Sequence, residues 1–165
     1  MQVDKNVVDK FKQEILDVFS NDKNFVEYVE FSGDEYYDND VIESFEFYNK
    51  KSLSELLSHQ TEEYRPRMYT FLKPHPKIYY MPYYMIKFLE EDDLWNVFYA
   101  FSDFIFIWSS DMASHVQVRE ELLVNLSKEQ IKCLRDYFSF VKELDSEYQE
   151  EFIRALNNLE KLYDS

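Results

Sequence analysis

Residues 127–141, SKEQIKCLRDYFSFV, decide the fold class. Ser127 and Gln130 bracket an S-x-x-Q capping box. The serine hydroxyl accepts from the third helical N–H, and the glutamine side chain reaches back to the serine N–H. Behind the cap, Ile131, Leu134, Tyr137, Phe138 and Val141 recur every three or four positions, which is one apolar stripe of an amphipathic helix. A second stripe follows, Tyr148, Phe152, Ala155, Leu156, Leu159 and Tyr163, with Ser146 as its cap. Only a few residues separate the two stripes, so they are expected to fold back on each other as an antiparallel hairpin.

The rest of the chain continues the helical theme. Residues 4–20 carry Val7, Val8, Phe11, Ile15 and Phe19 at helical spacing, with Asp4 placed to cap them. Ser52 to Glu55 is another capping box, predicting a helix over 53–64 with Leu53, Leu56 and Leu57 inside. Arg65-Pro66 breaks it. The segment from Lys73 to Lys77, KPHPK, reads as extended or turn, because proline removes a backbone donor and clashes with the preceding turn. Pro82 then suits the first turn of a new helix carrying Tyr84, Met85, Phe88 and Leu89. Asp92 or Asp93 can cap the next, whose inner side holds Leu94, Trp95, Phe98, Phe101, Ile105 and Trp108. Its β-branched and aromatic content keeps a buried strand as the minority reading. Ser109 to His115 reads as a polar connection. Segment 25–48 is open between short helices and a small β element, with its turn at Gly33.

Composition narrows the alternatives. The chain has 165 residues and a formal charge of −15, with 45% hydrophobic and 19% aromatic content. That is one domain's worth of chain with enough apolar material for a core, so compositional disorder is excluded. One glycine and four prolines argue against a turn-rich β-sandwich or barrel, and one glycine is too few for a P-loop or a dinucleotide fingerprint. The expected fold is a single, mainly α domain over residues 1–165, of about six helices, closed by the C-terminal hairpin.

The polar N-terminus carries no secretory signal, no apolar run approaches a membrane span, and Cys133 is alone. A cytoplasmic protein with a buried core cysteine is the expectation. Acidic excess argues against direct nucleic-acid binding, which draws on Lys and Arg. No Gly-x-Ser-x-Gly or His-Glu-x-x-His signature is present. Glu55, His59 and Glu62 or Glu63 share neighbouring helical turns but read better as a solvated face than a metal site, and no cofactor or metal is expected.

The charge is unevenly placed. Residues 64–89 hold five basic residues and no acidic one, while 34–46 interleave Asp34, Glu35, Asp38, Asp40, Glu43 and Glu46 with Tyr36 and Tyr37. Carboxylates beside tyrosines form a candidate partner-binding surface, since tyrosine supplies rigid contact area at low entropy cost. Arg65, Arg67, His75, Tyr79, Tyr80 and Tyr84 form a second candidate, a pocket around Pro82. The plainer reading of these tyrosines is that they staple a helix start onto the core, with their hydroxyls reaching the surface.

The stretches Phe71 to Pro74, Lys77 to Met85 (KIYYMPYYM) and Leu126 to Gln130 (LSKEQ), followed by Tyr137 to Phe140 (YFSF), resemble a family of small uncharacterised bacterial proteins. The resemblance covers roughly residues 43–142. It departs at the Pro-His-Pro insert and the aromatic segment 95–108. It implies a mostly helical bacterial domain and brings no catalytic residue with it.

The function expected from this surface is an acidic binding or inhibitor protein, of the kind that an immunity protein represents: it would neutralise a basic toxin or nuclease by covering its active cleft. Two alternatives stand beside it. One is an enzyme with a site near Tyr79, Tyr80, Tyr84, Arg65 and Arg67. The other is an adaptor that homodimerises through 95–108.

Overall fold

The computed structural model describes residues 4–19, 46–58, 69, 72–90, 94–144 and 147–161, with the backbone alone for 94–101. Seven helices are laid out in these residues: α1 Lys5–Phe19, α2 Leu53–Ser58, α3 Pro74–Glu90, α4 Leu94–Ser109, α5 Ala113–Asn125, α6 Lys128–Val141 and α7 Gln149–Lys161. Among the described residues there is no sheet, and the chain is mainly α as expected.

α3 is the centre. Thirteen of its 17 residues are buried, and they lie on every side of the helix. A helix apolar all round needs neighbours all round. α1, α2, α4 and α5 pack against it. α6 reaches it through the Tyr137 hydroxyl, which donates to the Met85 carbonyl at 3.1 Å. α7 reaches it through the edge-to-face pair Phe88–Phe152, with centroids 5.2 Å apart.

The start of α3 corrects the sequence reading. The Lys73–Lys77 segment is helical from Pro74 onward, and Pro82 lies inside the helix, not in its first turn. Pro74 and Pro76 fall where helical N–H groups have no intrahelical partner, so they forfeit no hydrogen bond. The first bond of the helix is Lys77 N–H to the Lys73 carbonyl, 3.0 Å. Pro82 does forfeit one, at a cost of about 3 kcal/mol in an ordinary helix. The burial of side chains on all sides of α3 offsets it.

The terminal helices follow their sequence signals. Asp4 caps α1, its Oδ1 accepting from Asn6 N–H at 2.8 Å. Val8, Ile15 and Phe19 are its buried side. Glu55 N–H donates to Ser52 Oγ at 3.2 Å ahead of α2. The Ser127 box is complete: Gln130 N–H donates to Ser127 Oγ at 3.1 Å and Ser127 N–H to Gln130 Oε1 at 3.0 Å. α6 and α7 pack together as the expected hairpin, Phe138 lying 6.3 Å from Phe152. Phe11 stacks on Phe140 at 4.6 Å and brings α1 onto α6. The predicted continuation of α2 to residue 64, the Ser146 and Asp92/Asp93 caps, and segment 25–45 lie outside the described residues.

Residues 94–109 are helix, not strand. α5 is an additional helix that takes up the end of the expected 109–115 connection and runs on to Asn125. Its Arg119 is only 9% exposed and caps the C-terminus of α4. One guanidinium nitrogen donates to the carbonyls of Ile107, Trp108 and Ser110 at 3.0–3.1 Å. From α7, Asn158 Nδ2 donates to the Trp108 carbonyl at 2.9 Å. These carbonyls have no partner within α4, and a cation near that end also meets the negative pole of the helix dipole.

Replacing Arg119 with methionine keeps the stem and strips the donors from the end of α4. Chemical denaturation of this variant should show a loss of about 2–3 kcal/mol, with the helical content of the folded state unchanged.

Candidate functional site

Three places hold chemistry worth weighing: the tyrosines around Pro82, a charged group in the core, and a small cleft beside the start of α3.

The tyrosines are buried and their hydroxyls are occupied. Tyr79, Tyr80 and Tyr84 are 5%, 0% and 2% exposed. Tyr79 Oη accepts from Leu53 N–H at 3.1 Å and so holds the first turn of α2. Tyr80 Oη donates to the carbonyls of Tyr48 and Lys51, at 3.0 and 2.9 Å. Tyr84 Oη is hydrogen-bonded to Tyr48 Oη. Tyr69 Oη donates to the Lys77 carbonyl at 2.7 Å. The rings pack tilted or edge-to-face, with Tyr48–Tyr80, Tyr79–Tyr80 and Tyr69–Tyr84 centroids within 5 Å. The tyrosines staple neighbouring segments onto the interior of α3, with their hydroxyls in the core and not at the surface of a helix start. Each hydroxyl answers a polar group that burial would otherwise leave unpaired. Burial also raises the phenol pKa of Tyr69 and Tyr80, so both stay protonated donors.

The core charge is carried by Lys77, 2% exposed on α3. Its ammonium donates to the Leu72 carbonyl. Asp103 on α4 and Glu121 on α5 act on it electrostatically. Burial pushes the lysine down to about 8, against the pull of both carboxylates. Burial pushes Asp103 up to about 7, against the pull of Lys77. Asp103 Oδ2 is buried with no hydrogen-bond partner. A carboxyl group and an amine that both titrate near neutrality are what proton-transfer sites use. The pair joins α3 to α4, and Glu121 acts on the lysine from the exposed side of α5.

Sequence reading did not pair the two residues. The signal was present: Asp103 is the lone carboxylate in the apolar run 98–108, and Lys77 abuts the aromatic run 78–85. An isolated charge inside an apolar run implies a partner, because unpaired burial costs far more than paired burial.

The cleft has a volume of about 200 Å³ and is lined by Phe19, His75, Ile78, Tyr79, Asn125 and Gln130. It lies where the end of α1, the start of α3, the end of α5 and the start of α6 meet. Of the pocket residues expected from sequence it includes His75 and Tyr79 but not Tyr80 or Tyr84, whose hydroxyls face the core interior. Arg65 and Arg67 lie outside the described residues.

The acidic candidates Asp34, Glu35, Tyr36, Tyr37, Asp38, Asp40 and Glu43 also lie outside the described residues. Glu46 is described and exposed, two residues before the fully buried Tyr48. Cys133 is 4% exposed, and burial pushes its thiol up to about 12, which makes it a core residue and a poor nucleophile. Cys133 and His115 are not brought together as a Cys/His pair. Cys133 sits near Glu14, Lys132 and Asp136, whereas His115 stacks on Phe106 beside Arg119. Phe106 is 38% exposed, but Phe104, Ile105, Ile107 and Trp108 are fully buried, so this part of the 95–108 segment serves the core more than a dimer face. Among the described residues, no group of three His, Cys, Asp or Glu side chains is placed to hold a metal ion, and no helix is long and apolar enough to cross a membrane.

No protein-family model, curated protein or solved structure matches this chain. The functional reading therefore rests on the residues themselves.

Replacing Tyr80 with phenylalanine leaves the Tyr48 and Lys51 carbonyls without their donor, and thermal or urea unfolding should register a loss of about 1–3 kcal/mol. Asp103 gives a pH signature. The folded state holds its proton up to about 7, against an ordinary value of 3.8, so folding binds a proton between those values. The stability this contributes is complete below 3.8 and is lost as pH rises through 7. Relative to the Asp103→Asn variant, the native chain should therefore lose about 2–4 kcal/mol between pH 4 and pH 7. A pH-independent difference across that range would show that Asp103 titrates normally.

Proposed function

We propose that this protein is an acidic binding protein that docks onto a basic protein partner and blocks it, as an immunity protein covers the active cleft of a toxin or nuclease. The single observation that carries this reading is the one-sided charge of residues 34–46. Asp34, Glu35, Asp38, Asp40, Glu43 and Glu46 stand there with no lysine or arginine among them, in a chain whose formal charge is −15. Carboxylates without counter-charges between them give a local negative field that draws a basic partner.

The segment 34–46 carries aromatic contact area as well as charge. Its five carboxylates before residue 46 flank Tyr36 and Tyr37, and its last acid, Glu46, is exposed where the chain enters the core. Beyond Glu46, Tyr48 is pinned by Tyr80 and Tyr84, so this end of the segment leaves a rigid anchor. An anchored acidic segment offers a basic cleft long-range attraction, which sets the association rate, and tyrosines for contact, which set the residence time. Paired charges at the centre of such an interface stabilise it only with good geometry, so the tyrosines carry the larger share of affinity.

The test is capture from a lysate of the source cell on the immobilised full chain, followed by affinity measurement on each captured protein at low and high salt. A specific partner should be basic. Its binding should weaken at least tenfold between roughly 50 and 500 mM salt, and as much again when Asp34, Glu35, Asp38, Asp40, Glu43 and Glu46 become Asn or Gln. A partner whose affinity is indifferent to both changes would end this reading.

A further inference from the structure

We draw no further inference here: the strongest candidate, the Lys77–Asp103 pair that joins α3 to α4, belongs to the site already described and rests beyond it only on the shifted titration of its two groups.

Discussion

This fold depends on a helix with no solvent face. Thirteen of the residues of α3 are buried, and they include Lys77, Lys87 and four tyrosines. Burying polar groups on that scale is tolerable only if each finds a partner, since an unpaired buried donor or acceptor costs about 1–3 kcal/mol. Three of the tyrosines resolve this. Tyr79, Tyr80 and Tyr84 each put an aromatic ring into the core and a hydroxyl onto a neighbouring polar group: Tyr79 onto α2, Tyr80 onto the turn at 46–51, Tyr84 onto Tyr48. The surrounding segments are thereby located by hydrogen bonds, which are directional, as well as by apolar contact, which is not. Tyr69 and Tyr137 repeat the device from the outside, each donating to a carbonyl of α3.

That arrangement explains what was and was not legible in the sequence. α1 and the α6–α7 hairpin were legible because a cap and a single apolar stripe coincide in each. α3 was not, for two reasons. Its apolar residues cover every side, so no stripe separates from a polar face. Its two early prolines look like breakers although they occupy positions that make no helical bond. α5 was missed for the opposite reason. Its apolar residues are scattered, with Val124 86% exposed while Leu122 is fully buried, and Met112 at its start supplies no side-chain cap. What holds α5 is tertiary: Arg119 serving the end of α4. Segment 94–109 is the helix its spacing predicts; the strand that its aromatic and β-branched content left as the minority reading does not form, because packing outweighs a weak propensity.

The candidate sites divide in the same way. The tyrosine cluster was legible as a structural one, but it lies inside α3 with its hydroxyls in the core, not at a helix start with hydroxyls at the surface. The cleft at His75 and Tyr79 combines residues from four helices, and Phe19, Asn125 and Gln130 have no sequence relation to His75 that would have joined them beforehand. Lys77 and Asp103 belong to a middle class. Each is conspicuous as a lone charge in an apolar run, but their meeting requires knowing that α3 crosses α4.

The distribution of charge closes the physical account. A chain at −15 repels itself, and such repulsion loads whatever part of the molecule carries it. Pairs such as Lys12–Glu90, at 2.7 Å between α1 and the end of α3, offset part of it locally. Inside the fold charge is costly: Lys77 and Asp103 lie where neither ion is comfortable, and burial drives both toward neutrality. A sequence under no functional demand would relieve repulsion by interspersing lysines among the acids of 34–46. It holds none there, and that one-sided composition is the reason to look for a cationic surface on the other side of the contact.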